Sequence, residues 1–251
     1  MTGWEELAAE LDRWEAAGRR AAFWWRDDDA TAPSPALDRL LALRREHRVP
    51  LALAVIPTRA DRALAERLAS ERDIAVLQHG FAHVNHAPAG AKKCELSEVR
   101  PPAEMLAELA EGRARLEDWP GFLPVLVPPW NRIAPGLPAR LPALGFRGLS
   151  GFGARAAAPA GLAIANTHID PVAWRAGRGF VGLAPALRTA IDALEGRRTG
   201  RLDAAEPTGL LTHHAAHAET VWTFVAEFLA RTRVHAGARW LAAREVFGVA
   251  A

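Results

Sequence analysis

Apolar runs of strand length alternate with stretches of helical spacing along almost the whole chain. The first twenty residues place Trp4, Leu7, Leu11 and Trp14 three or four apart with Glu and Arg between them, the pattern of an amphipathic helix. Strand-like runs follow at Ala21–Arg26, Leu51–Ile56, Ile74–Leu77, Phe122–Val127, Phe146–Leu149, Leu162–Asn166 and Gly209–Thr212. Helical patterns lie between them at Pro35–Glu46, Ala60–Ser70, Ala103–Leu116, Leu137–Leu144, Leu183–Leu194 and Glu219–Thr232. Pro35 suits a first helical turn, where its missing N–H would have no partner. Two prolines weaken the Leu137–Leu144 segment.

Continuous apolar strands separated by amphipathic helices predict a parallel sheet covered by helices, a barrel or an open doubly wound sheet. Polar residues decide for the barrel. Asp27–Asp29, His79, Pro129-Trp130, Asp170 and His213 all fall at or just past the end of an apolar run. In a parallel barrel those ends share one face, where strand-to-helix loops build active sites. No linker or repeat divides the 251 residues, so the expectation is one domain over residues 1–251, with the first twenty forming a helix packed on the barrel.

The histidines carry the chemistry. Three of the nine lie in His79-Gly-Phe-Ala-His83-Val-Asn-His86 and three in His213-His214-Ala-Ala-His217. If the chain turns helically after the third strand, His79 and His83 lie on one face and can share a metal ion. A carboxylate from the Asp27-Asp28-Asp29 run would complete a set of three, leaving positions open for water and substrate. Three consecutive aspartates at a half-buried strand end repel one another, and a cation relieves that. Alternating strand residues face opposite ways, so a division between metal ligand and general base is natural. His213 closes the last run and could serve as a general acid, since imidazole titrates near neutrality. Asp170 could orient a catalytic histidine. Pro129 and Trp130 would make part of a rigid, aromatic-lined wall, Trp174 follows Asp170, and Arg132 could pair with a site carboxylate.

Composition removes several alternatives. The formal net charge is +2 and the only lysines are Lys92 and Lys93, so no basic patch for nucleic acid exists. The single Cys94 excludes an internal disulfide and a cysteine-based zinc site. The N-terminus lacks the basic start and uninterrupted apolar core of a signal peptide, and no run is long enough to span a membrane. The expectation is a cytoplasmic protein acting on a small-molecule or oligosaccharide substrate, with neither nucleic acid nor membrane as partner.

Taken in order, these motifs resemble the polysaccharide deacetylase superfamily, the NodB-homology or carbohydrate esterase family 4 group, and within it divergent cytoplasmic members with an Arg-x-Asp-Asp opening. The resemblance runs from about residue 21 to 217 and implies a distorted (β/α)7 barrel. It implies Asp28 as catalytic base and Asp29, His79 and His83 as metal ligands, although a frame on Asp27 and Asp28 also fits. Pro129-Trp130 matches the third motif, Asp170 with Trp174 the fourth, and Leu211-Thr212-His213 the fifth, which makes His213 the catalytic acid. Three positions depart from the family pattern. Ala30 follows the Asp pair where Gly is usual, Gly80 replaces Ser or Thr, and Val127 stands where an Arg normally holds the base. The implied activity is metal-dependent removal of an N- or O-acetyl group from an amino sugar or related conjugate. Zinc is the default ion, and iron, cobalt, nickel and manganese also suit two histidines and a carboxylate. The alternatives are a non-catalytic carbohydrate-binding relative and another mononuclear metal enzyme, such as a non-haem iron oxygenase.

Overall fold

The computed structural model describes residues 3–249. In chain order the elements are α1 (Gly3–Ala16), β1 (Ala21–Ala30), α2 (Pro35–His47), β2 (Leu51–Val55), α3 (Arg62–Ala69), β3 (Ile74–His79), α4 (Pro102–Leu116), β4 (Phe122–Val127), β5 (Gly148–Leu149) and β6 (Ala163–Ile164). There follow β7 (Val172–Ala173), β8 (Gly179–Phe180), α5 (Leu183–Arg198), β9 (Thr208–Thr212), α6 (Glu219–Val234), β10 (Ala238–Trp240) and α7 (Ala243–Phe247). The main sheet has the order β10-β1-β2-β3-β4-β5-β6, with β9 also paired to β1. This is an α/β fold, a distorted (β/α)7 barrel, as the resemblance implies.

Each sequence-predicted strand and helix has a counterpart, β4 with the predicted bounds and the others with shifted ends. β1 runs through the aspartates to Ala30 instead of stopping at Arg26, whereas β5 and β6 shrink to two residues each. The proline-bearing segment Pro138–Leu144 is a 3-10 helix, because Pro142 within it removes a backbone donor. The hairpin of β7 and β8, the three-residue β10 and the short α7 carry too few residues for a period to show. No helix of the described residues is long and apolar enough to cross a membrane.

The contacts group the chain into two compact units. Unit 1 comprises the chain up to Asp27, Ser34–Leu51 and Thr167–Ala242. Here β9 pairs in parallel with Phe23–Asp27, while β10 pairs with Ala21–Phe23. Phe23 of β1 meets Phe228 of α6 edge-on and Trp240 of β10 face-on, at ring separations of 5.9 and 5.3 Å. The amphipathic α1 packs on α5 and β10 through Leu7, Leu11 and Trp14. Glu10, which its charge would place in solvent, is buried instead, because Arg198 and Arg13 both donate to it.

Unit 2 comprises Asp28–Pro33, Ala52–Asn166 and the chain from Ala243. Its core gathers Leu96, Met105, Leu109, Leu126, Leu141 and Phe146 among others. The β3–β4 register jumps from Val76↔Phe122 to Gln78↔Leu126, four residues along β4 against two along β3. Pro124 lies in that interval, where the absence of its N–H leaves no ladder bond broken. After the irregularity the strands pair again at His79↔Val127, which fixes the end of β3 against the end of β4.

One glycine in unit 1 is fixed by a close approach. A Cβ on Gly237 would stand 2.1 Å from the Leu11 carbonyl oxygen, a backbone atom that cannot rotate away. Gly237→Ala should therefore cost about 1–3 kcal/mol of unfolding free energy in a urea titration, with the slope unchanged. An unaltered midpoint would show that α1 is not held so close to β10.

Candidate metal centre and buried histidine network

His79, the last residue of β3, is 2% exposed. Its Nδ1 lies 2.9 Å from the Val127 carbonyl oxygen, which can only accept, so Nδ1 carries the proton. In the neutral ring Nε2 then bears a lone pair, and it points at Asp29 Oδ1, 3.1 Å away. His83 Nε2 lies 3.2 Å from the same oxygen. Ligand atoms of Asp29, His79 and His83 all fall within 4.8 Å of one another. Acceptor facing acceptor across about 3 Å is unfavourable unless a proton or cation sits between. The donor set therefore fits a divalent ion, with His79 held in the metal-binding tautomer by a backbone carbonyl.

The two histidines do not meet by the helical turn expected from their spacing. Residues 80–87 form no helix, and Gly80 and His83 both adopt positive φ, 56° and 57°. The loop is shaped by Glu95, which the sequence pattern did not single out. This carboxylate is 1% exposed. It accepts from the backbone N–H groups of Phe81, Ala82 and Val84 at 3.0, 2.8 and 3.3 Å. A buried carboxylate and three unpaired amides would each be costly alone, and together they satisfy one another. Gly80 answers to the same group. A Cβ there would stand 1.9 Å from Glu95 Oε2 and 2.5 Å from Pro129, so the side chain usual in the resembled family has no room.

Positive φ recurs around this cluster, at Asp29 (71°), Trp130 (55°) and Asn131 (56°). Asp, Asn and His tolerate that region better than most residues, but a bulky Trp there stores strain, as functional sites often do. Pro129 is buried, and the half-buried Trp130 lies with its ring 4.3 Å from that of His83. Arg132 does not take the role left open by Val127, because its guanidinium donates to the Lys93 carbonyl oxygen at 2.9 Å and pairs with no carboxylate among the described residues. Asp28 is 2% exposed, beside Asp29 in β1. His86 is exposed.

Unit 1 holds the remaining histidines. Asp27, with no exposed surface, accepts from Thr212 Oγ1 at 2.7 Å, from the His214 backbone N–H at 3.0 Å and from His214 Nδ1 at 2.5 Å. Trp25 Nε1 donates in turn to Thr212 Oγ1. Burial is the largest influence on Asp27 and acts to raise its pKa. The charge and hydrogen bond of His214, the charge of His217 and the Thr212 hydroxyl outweigh it and hold the carboxyl below its ordinary value. His217 Nε2 accepts from the His213 backbone N–H at 3.1 Å.

His213, the acid implied by the resemblance, is half-buried, and its Nδ1 has no hydrogen-bond partner. Asp170 does not bond to it. That carboxylate accepts from Val172 N–H and from Trp174 Nε1 at 2.9 and 2.8 Å, and Trp174 lays its ring edge-on to His213 at 4.6 Å. Asp170 thus orients His213 only by way of Trp174. His168 takes no part in this network: it is buried beside Arg197 and Glu206 and accepts from Gly209 N–H.

Burial, aided by the charges of His213, His214 and Arg39, pulls the His217 pKa from 6.5 down to about 4, against the attraction of Asp27. A group whose folded pKa is depressed contributes stability above its unfolded pKa and loses it on acidification. His217 should therefore withdraw about 3 kcal/mol between pH 6.5 and 4. Unfolding titrations of His217→Gln should be flatter across that window than those of the unmodified protein. Separately, Glu95→Ala should speed hydrogen exchange at Phe81, Ala82 and Val84 while sparing Val76. Equal protection in both proteins would show that Glu95 does not hold the loop.

No protein-family model matches the chain, nor does any curated protein. Solved structures do. A provisionally named polysaccharide deacetylase of Mycobacterium smegmatis superposes with a TM-score of 0.61 at 19% identity, over 90% of this chain and 87% of that one. The Bc1960 peptidoglycan N-acetylglucosamine deacetylase gives 0.58 at 15% identity, over 92% and 90%. A family 4 acetyl xylan esterase of Clostridium thermocellum, solved with a cobalt ion, gives 0.53 at 13% identity over 91% of both chains. The chain shares the fold of these proteins.

Proposed function

We propose that the protein is a metal-dependent deacetylase that removes an N- or O-linked acetyl group from an amino sugar or related small carbohydrate conjugate. The observation that carries this reading is the convergence of Asp29, His79 and His83, with His79 tautomerically set for coordination. Its support from outside is that the proteins sharing the fold are named as deacetylases and acetyl esterases, one of them holding cobalt. A divalent ion held by these three side chains, zinc by default, would polarise the acyl carbonyl and acidify a water molecule.

The chain's own residues have separate tasks. Asp28 takes the proton of the attacking water, its burial beside Asp29 keeping it from bulk solvent. His213 gives a proton to the departing amine or alkoxide, held by the Trp174 ring and, through it, by Asp170. Trp130 and the 42%-exposed Trp174 offer flat faces to sugar rings. Pro129 precedes Trp130, whose φ of 55° is left-handed, and Arg132 shapes the substrate wall by donating to the Lys93 carbonyl.

A second reading has its own observations. Val127 replaces the arginine that would hold the base, and the Nδ1 of His213 has no carboxylate partner. Both suit a carbohydrate-binding relative that has lost turnover.

Elemental analysis should find about one transition-metal ion per chain, lost in a folded His83→Ala variant. His213→Ala should keep the metal and lower turnover of an acetylated amino sugar by about 10²–10⁴-fold. Retained metal and sugar affinity with no hydrolysis in either protein would favour the binding relative. Failure to take up zinc, iron, cobalt or nickel would sink the deacetylase reading and leave a binding protein.

A further inference from the structure

We propose that unit 1 carries a second binding site, for a small organic anion with an apolar body, at the N-terminal ends of β1, β9 and β10. A cavity of about 480 Å³ opens there, within the range of small-molecule sites. Its lining includes Ala21 and Ala22, which begin β1, Thr208, which begins β9, and Arg239 of β10. Asp27 lies six residues further along β1, about 20 Å at the rise of an extended strand, so this cavity is distinct from the histidine network.

Charge selects the ligand. Four guanidinium groups line the cavity against one carboxylate, that of Glu206. Arg197 and Glu206 are buried and pair with each other at 3.1 Å, which leaves the other three arginines unbalanced. Arg19, Arg20 and Arg239 are exposed, and none has a carboxylate partner among the described residues. Several other arginines are paired with carboxylates, Arg39 with Glu219, Arg100 with Glu108, Arg188 with Glu6, and Arg198 with Glu10. Three unpaired cations facing one concavity repel one another, and an anion between them removes that repulsion.

Backbone contacts set the positions of two of them. Arg20 Nε donates to the Ala236 carbonyl at 3.1 Å, leaving its terminal nitrogens free. Arg19 lies over the Trp14 ring, 4.4 Å from its centre, and its Nη1 donates to the Arg198 carbonyl oxygen at 3.4 Å, which together hold the guanidinium plane. Planar, pre-set guanidinium groups suit carboxylate or phosphate oxygens in paired hydrogen bonds. Trp14, Leu194 and Leu241 supply apolar wall for the rest of the ligand. Two residues of the wall also carry buried polar atoms without partners, Trp14 Nε1 and Thr208 Oγ1. A polar guest in the cavity would offer these two atoms the partners they lack.

Phenyl phosphate, phenol and inorganic phosphate are the probes, titrated by calorimetry and by the indole N–H resonance that Trp14→Phe removes. Phenyl phosphate should bind one equivalent, shift that resonance, and bind about tenfold or more tightly than phenol or inorganic phosphate. Arg239→Ala and Arg20→Ala, both at exposed positions, should each weaken it about fivefold or more, and His79→Ala should leave it unchanged. The proposal is overturned if binding does not saturate or phenol binds as tightly. It is equally overturned if the arginine variants bind like the unmodified protein, or if His79→Ala abolishes binding, which would put the phosphate at the histidine–aspartate cluster.

Discussion

A carboxylate with no exposed surface must find all its hydrogen bonds inside the protein, and Asp27 sets that demand within β1. Three donors meet it, and all three come from the end of β9 and the two residues after it. The Thr212 hydroxyl and the His214 imidazole are turned inward, and His213 between them is left as the more exposed ring. The orientation of the candidate acid is thus a by-product of its neighbours' obligation to Asp27. Removing that carboxylate would leave buried donors unpaired, which is why the arrangement behaves as one unit instead of three separate bonds.

Unit 2 solves a similar problem with Glu95. A loop that leaves a strand without becoming a helix exposes amide groups that no regular ladder satisfies. Glu95 collects three of them and so holds His83 where its Nε2 can reach Asp29. In both units an acidic side chain that never touches substrate in the proposed reaction sets the backbone that presents a histidine.

Much of this was legible in the chain. Apolar runs mark β1 to β4 and β9 because a strand covered on both faces has to be apolar throughout. The grouping of Asp27–Asp29 with two histidine clusters pointed to the metal-capable set, since few other structures need those residues at strand ends. The route by which His79 and His83 meet was not legible. A spacing of four fits a helical turn and a tight loop equally, and the choice rests on Glu95, which nothing in Lys-Lys-Cys-Glu distinguishes from a solvated acid. Nor could sequence separate the tasks of Asp27 and Asp29, identical side chains whose partners lie far along the chain. Short elements such as β10 escaped because three residues hold no period.

The contact between Gly80, Glu95 and Pro129 bears on how such a loop changes over evolutionary time. The space a Cβ would need at residue 80 is filled by the carboxylate that binds the loop amides. A lineage carrying a serine or threonine at that position cannot accept this glutamate placement, and one that has adopted it cannot regain the side chain while the glutamate remains. The Pro129 ring, 2.5 Å from where the Cβ would stand, and the positive φ of residue 80 add to the constraint, so loss of the glutamate alone does not reopen the position. The loop thereby acts as a ratchet, and chains on its two sides are separated by an intermediate that lacks both the side chain and the amide anchor.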